Sequence, residues 1–370
     1  MIGRSTRQII HRLSAILILS AMPGGVVAAQ VAEGRPAQAQ VRTDHHMHVH
    51  SPAILGFLPA YCASPGRQGP CDPAFLEPRT IDDLLKDMDA AGIRRGWLMS
   101  TAYLAHSPMM VPPAPDAHEI MMSANDFTVD LARAHPDRIS TFIGVNPISG
   151  DALGEIARWK GDPAVTGIKL HLTNSDVDLR SSDQVAKLSA VFAAASDAGL
   201  AIMIHMRTRA RDYGAQDVAI FVEDILPQAP DVPVVIAHSG GWGGTDANTL
   251  SALEGFATAI ERDPVIRRNL FFDLAQLFDQ TTTADDLHSL VLLVRRIGVE
   301  AFVPGSDWPF SGDLSTYYAQ TYPRLPLADH EMTGIRTREV SPMRSGAHVT
   351  RLYPRSTESD PHSDRPARMP

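Results

Sequence analysis

From Thr43 onward, short apolar runs alternate with longer stretches whose apolar residues recur at helical spacing. This is the rhythm of repeated strand-helix units built around a parallel sheet. Eight runs have strand character: 43–50, 95–100 (RGWLMS), 140–146 (STFIGVN), 165–171 (VTGIKLH), 201–205 (AIMIH), 232–238 (VPVVIAH), 269–274 (NLFFDL) and 301–307 (AFVPGSD). Helices are expected between them, over roughly 117–134, 151–160, 182–198, 216–226, 247–262 and 283–297. The best delimited helix starts at Thr80, an N-cap with Asp83 three residues on. It carries Ile81, Leu84, Leu85 and Met88 on one face and stops at Gly92. Eight such units in one domain have the size and order of a (β/α)8 barrel, an α/β fold. A doubly wound open sheet is the alternative, but no glycine-rich phosphate turn follows the first run.

Two interruptions stand out, a Pro/Gly-rich excursion over 51–79 and another over 101–116. Loops this long inside a compact domain usually serve function, often as lids. The only two cysteines, Cys62 and Cys71, lie in the first. In an oxidising compartment a disulfide between them would stiffen it, and two free thiols are the alternative. After Asp307 a closing helix is visible only as a short stretch around 314–320, and residues 329–370 read as a disordered tail. The barrel is therefore expected over 42–328, after a linker over 30–41.

Residues 1–29 resemble an export signal. Arg4, Arg7 and Arg12 flank the apolar run 13–19, Pro23, Gly24 and Gly25 interrupt it, and Val27, Ala28 and Ala29 offer small residues for cleavage. The run falls short of the roughly 20 apolar residues of a spanning helix. The expectation is a leader that is removed and a soluble, periplasmic or secreted protein without a membrane partner.

Hydrophobic content of 44% and charged content of 20% describe an ordinary globular chain. The formal charge is −9, and the leader contributes only positive charge to it. A non-specific nucleic-acid binder would need the opposite sign, so a small-molecule substrate is the expected partner. A homo-oligomer stays open.

The candidate chemistry begins in RTDHHMHVH, residues 42–50. On a regular strand Asp44, His46, His48 and His50 would share one face. Other runs end on metal-ligand residue types: His171, His205, His238 and Asp307. A lone histidine at a strand end is more often a hydrogen-bonded or surface residue than a ligand, and Asp307 alone could simply cap a turn. Together they fall where the catalytic groups of a barrel sit, at the C-terminal ends of strands.

These residues lie in DHHMH (Asp44–His48), AHPDRI (Ala134–Ile139), GIKLH (Gly167–His171), MIHM (Met203–Met206), IAHSGG (Ile236–Gly241), FFDLA (Phe271–Ala275) and PGSDWPF (Pro304–Phe310). The set resembles the amidohydrolase superfamily, in its amidohydrolase-related branch, which also holds decarboxylases similar to aminocarboxymuconate semialdehyde decarboxylase. The resemblance implies that His46, His48 and His205 bind a divalent metal, with Asp307 a ligand or the proton acceptor beside it. His238 would sit next to the metal as an acid/base residue. Lys169 is ambiguous, since binuclear relatives carbamylate a lysine on the fourth strand whereas this branch more usually holds one metal. Lys169 and His171 share a strand face, which makes them candidates for substrate contact, or Lys169 is simply paired with a carboxylate in the barrel mouth.

Imidazole and carboxylate ligands suit Zn2+ first, with Mn2+ or Fe2+ as alternatives. A metal-activated water would then hydrolyse a small amide, ester or lactone. The second expectation is a metal-dependent, non-oxidative decarboxylase of an unsaturated or aromatic acid. The third is an exported barrel that binds metal or ligand without turnover.

Overall fold

The computed structural model describes residues 40–67 and 69–340. The leader over 1–29, most of the linker and the tail beyond residue 340 lie outside the described residues. Among the described residues eight parallel strands run in sequence order: β1 Thr43–Met47, β2 Arg95–Met99, β3 Ile139–Gly144, β4 Val165–His171, β5 Ala201–His205, β6 Val234–Ile236, β7 Leu270–Asp273 and β8 Phe302–Val303. Residues 304–308 close the cylinder onto β1: His45 N donates to Pro304 O (3.0 Å), Asp307 N to His46 O (2.7 Å) and His48 N to Trp308 O (2.7 Å). The result is the (β/α)8 barrel.

The strands are apolar on both faces because both faces are covered. Outward residues such as Leu98, Ile168, Ile204 and Phe272 pack beneath the surrounding helices, whereas Trp97, Met99, Phe142, Met203, Val235 and Val303 form a separate cluster in the lumen. Helices form where the spacing predicts them. Thr80 accepts from Asp83 N, the Asp83 side chain bonds back to Thr80 N, and helix Ile81–Ala91 ends at Gly92 in the left-handed region, φ 72°. Both the capping box and the glycine stop are legible in the sequence.

Three expectations are corrected. The first run is strand only to Met47, and its alternation is broken by a register shift between Asp44 and Met47. Such a bulge re-aims side chains. His45 turns against Trp97 (4.7 Å between ring centroids), and the Asp44 carboxylate accepts from Ser306 N and the Tyr318 hydroxyl instead of joining the histidines. His50 lies beyond the strand and bonds Thr101 Oγ1 (2.9 Å), with Phe75 against its ring.

The excursion over 51–79 is not simply loop. It contains helix Pro52–Cys62, capped by Ser51, and the short helix Pro73–Leu76. Ile54, Leu58 and Tyr61 are buried there in a satellite core with Leu104 and Met121. The disulfide Cys62–Cys71 ties the two helices together, with its Cα atoms 5.5 Å apart.

The tail, expected to be disordered from 329, begins with helix Asp329–Arg336, whose Met332 and Ile335 are buried. Residues 339–340 then reach the base of the barrel. Thr43 Oγ1 donates to the Glu339 carboxylate (3.2 Å), Val340 N donates to His45 Nε2 (3.4 Å), and Val340 joins the lumen cluster.

Candidate active site

The bulge in β1 and the turn after β8 bring the first ligand candidates together. Asp307 adopts φ 62°, uncommon for a non-glycine residue, and its amide is held by His46 O. Gly305 lets the turn run close to β1, since a Cβ there would stand 3.2 Å from that of His46 and 3.4 Å from that of Asp273. His238 and Ser239 have similar backbone, φ 51° and 50°. Such conformations persist only where surrounding bonds enforce them, and they gather at functional sites.

Each imidazole around this turn has its Nδ1 engaged. His46 Nδ1 meets Asp273 Oδ2 at 2.9 Å, His48 Nδ1 meets Met99 O at 3.0 Å, and His238 Nδ1 meets Ala275 O at 2.8 Å. Acceptors at Nδ1 place the proton there and leave the lone pair on Nε2. The three Nε2 atoms converge on one carboxylate. Those of His46 and His48 lie 3.4 and 3.3 Å from Asp307 Oδ1, and that of His238 lies 3.9 Å from Oδ2. Lys169 Nζ approaches His46 Nε2 to 2.9 Å, a donor pointing at that same lone pair.

This donor set fits a divalent metal. One donor atom from each of His46, His48 and Asp307 lies within 4.8 Å of the others, and His46, His238 and Asp273 form a second such group. His205 belongs to neither. Its ring stacks on that of His171 (3.9 Å, 11°) and lies 5.2 Å from that of His238, and its buried Nδ1 has no hydrogen-bond partner among the described residues. An orphaned imidazole nitrogen beside three Nε2 donors is the kind of group that a bound ion satisfies.

Burial dominates the electrostatics. It holds the His46, His171 and His205 imidazoles well below their ordinary range, and the Lys169 charge adds to the effect on each. It also lowers the Lys169 ammonium to about 8, against the pull of Asp307 and Asp273. Burial pushes the Asp307 carboxyl up, but His46, His48 and His238 outweigh it and hold that group below the carboxylate range. Neutral imidazoles at His46 and His205 and a carboxylate anion at Asp307 are the protonation states a cation requires.

The sequence candidates thus largely converge. Lys169 and His171 face the lumen from β4, with His171 paired in register with His205 of β5. Cys62 and Cys71 stand at the mouth, where Cys71 lines the cavity. Sequence reasoning missed Asp273. Its carboxylate accepts from His238 N (2.7 Å) and Ala275 N (3.1 Å) as well as from His46. The signal was present, because β7 ends LFFD and so places an acid at a strand end, as the other runs place their histidines. Above the cluster opens a cavity of about 770 Å³, lined by Phe75, Tyr103 and Phe310 and by the cations Lys169 and Arg67.

The chain matches the family model described as Amidohydrolase over residues 43–333. Comparison with curated protein sequences finds no match. Among solved structures it is similar to the 5-carboxyvanillate decarboxylase of Sphingomonas paucimobilis, with a TM-score of 0.57 and 17% identity, covering 80% of this chain and 96% of that one. It is also similar to the 2,6-dihydroxybenzoate decarboxylase of Rhizobium (0.54, 15% identity, 80% and 96% covered). A third is the 5-carboxyvanillate decarboxylase of Novosphingobium aromaticivorans, complexed with manganese and 4-hydroxy-3-methoxy-5-nitrobenzoic acid (0.55, 13% identity, 82% and 95% covered). These likenesses establish the fold. They also correct the leading functional expectation, because the neighbours are decarboxylases of aromatic acids and match the second expectation rather than hydrolysis of an amide, ester or lactone.

Proposed function

The chain belongs to the amidohydrolase family, and on that premise we propose that it is a metal-dependent, non-oxidative decarboxylase of a small aromatic acid. The observation that carries this reading is the cavity. Aromatic walls at Phe75, Tyr103, Trp242 and Phe310 surround the His/Asp cluster and Lys169, which suits a flat aromatic acid held at a metal better than a flexible amide. Arg67, whose guanidinium lies 4.7 Å over the Tyr61 ring, also lines this cavity.

His46, His48, His205 and Asp307 would hold the ion. When bound, it would act as a Lewis acid on the substrate's carboxylate and adjacent phenolic oxygen. Manganese is the proposed ion, because the mixed nitrogen and oxygen donors accept it and a neighbour of this fold carries it. Zinc is what metal analysis would otherwise show.

The protein's own groups divide the remaining work. Asp307 turns Oδ1 toward His46 and His48 and Oδ2 toward His238, so one oxygen is available to the ion and the other to proton transfer. In the proposed step Asp307 Oδ2, beside the His238 Nε2 lone pair, takes a proton from solvent and delivers it to the ring carbon that bears the carboxylate. The bond to the carboxylate breaks, its electron pair restores the ring, and carbon dioxide leaves. Per turnover an aromatic carboxylate and one proton become an arene and carbon dioxide. Lys169, beside His46, offsets negative charge in the cavity, and the aromatic walls exclude water. The leader-like N-terminus and the Cys62–Cys71 bridge support a location outside the cytoplasm.

The test is carbon dioxide release from a panel of ortho-hydroxybenzoates, including 5-carboxyvanillate and 2,6-dihydroxybenzoate, before and after chelation. Release that stops on chelation and returns with manganese supports the reading. Silence across the panel with metal bound would overturn it.

A further inference from the structure

Trp242 is 53% exposed, yet it stands on the wall of the active-site cavity. It follows His238 in the loop that leaves β6, and its indole meets the rings of His205 and His171 nearly at right angles, with centroids 5.4 and 6.2 Å apart. The contacts with two site histidines fix its position beside the reaction centre. More than half of its surface is nevertheless left uncovered, and an indole is costly to leave in water. Across the cavity, Phe75 and Phe310 stack on each other (6.0 Å, 30°) and form the facing wall.

The backbone around Trp242 is built of glycine. Gly240, Gly243 and Gly244 adopt φ values of 86°, 107° and 102°, which side chains resist. The segment is pinned at both ends, by Gly241 N to His238 O (2.9 Å) and Gly244 N to Gln276 O (2.6 Å). Between the pins a single large side chain is carried over the cavity mouth.

We propose that Trp242 determines specificity by stacking on the ring of the bound aromatic acid and closing the open side of the cavity opposite Phe75 and Phe310. This deepens the decarboxylase reading and rests on it. The indole recognises a planar π face, so it selects aromatic over saturated acids of the same charge and size.

The test compares benzoate with cyclohexanecarboxylate, which share the carboxylate and differ in ring planarity, as ligands of the metal-loaded full chain. Binding is followed by competition and by tryptophan emission. Of the four tryptophans, Trp97, Trp159 and Trp308 are at most 6% exposed, so acrylamide quenching reports chiefly on Trp242. The wild type is expected to favour benzoate by roughly 2- to 10-fold, the range of an aromatic pair, and benzoate is expected to shield the exposed indole from acrylamide. Trp242→Ala should bring the ratio of the two affinities close to one, whereas Trp242→Phe should keep most of the preference. If both acids bind and the ratio is the same in Trp242→Ala, or if bound benzoate leaves quenching unchanged, the role of Trp242 is overturned and the decarboxylase reading stands. If neither acid binds the metal-loaded protein, the role of Trp242 is overturned, whereas the decarboxylase reading is decided separately by carbon dioxide release from the ortho-hydroxybenzoate panel.

Discussion

Asp273→Asn tests the logic of the site with a change of one atom. In the wild type Asp273 Oδ2 faces His46 Nδ1 at 2.9 Å while Oδ1 accepts from His238 N and Ala275 N at 2.7 and 3.1 Å. An asparagine has one oxygen, and the two backbone donors fix it at the Oδ1 position. Its NH2 group then points at His46 Nδ1, and two donors cannot share that space, so the imidazole proton must move to Nε2. That is the nitrogen facing Asp307 and Lys169, and a protonated Nε2 cannot bind a cation. Loss of a carboxylate that orients a ligand histidine typically costs 10- to 100-fold in metal affinity, or about 1.4 to 2.7 kcal/mol. Both backbone bonds survive, so the fold should be nearly as stable as in the wild type. In Asp273→Ala, by contrast, His238 N and Ala275 N are left buried and unpaired, at a cost of about 1–3 kcal/mol each. The assay is a titration of the metal-free protein with manganese against a chelator of known affinity, with denaturant melts of both variants beside it. Asp273→Asn binding metal within threefold of the wild type would refute the assignment of the His46 proton to Nδ1.

Other substitutions probe the remaining parts. Asp307→Asn should keep the fold and most of the metal but release no carbon dioxide, and undiminished turnover would remove Asp307 from the proton path. His205→Ala should lower metal occupancy, whereas His171→Ala, whose ring only stacks on it, should keep the metal and raise KM; equal occupancy in both variants by elemental analysis would contradict the distinction. Replacing Cys62 and Cys71 by serine removes a cross-link spanning nine positions, worth about 2.6 kcal/mol of loop entropy, and an unshifted denaturation midpoint would show that the short helices hold the loop without it. Phe272 is fully buried against Phe256 and Phe302, so Phe272→Ala should cost about 3–5 kcal/mol in the same melt.

How much of this was legible in the sequence depends on the range of the interactions involved. β4, β5 and the helices Ala117–Ala134 and Ala247–Arg262 have the predicted bounds, because their apolar spacing and caps are local. The convergence of His46, His48, His238 and Asp307 was legible for a related reason: a barrel brings strand ends together whatever lies between them. β1 was misread past Met47 because its bulge is imposed by pairing with the turn after β8, some 260 residues away, and period-two alternation carries no trace of that contact. The helix Pro52–Cys62 was hidden by its prolines and glycine, yet Ser51 and Pro52 are a sound helix start, and burial of Ile54, Leu58 and Tyr61 outweighs an unfavourable composition. Asp273 went unnoticed because its work is to hold other side chains, and only the folded arrangement shows what it holds.

The most direct test of the whole account is one incubation in D2O of the manganese-loaded protein with a ring-carboxylated ortho-hydroxybenzoate labelled with 13C in the carboxylate, followed by mass spectrometry and NMR. Labelled carbon dioxide should appear in step with an arene carrying one deuterium at the vacated carbon, and neither product should form once the metal is removed. Substrate recovered unchanged by the metal-loaded protein, or carbon dioxide formed equally well by the chelated protein, would contradict it.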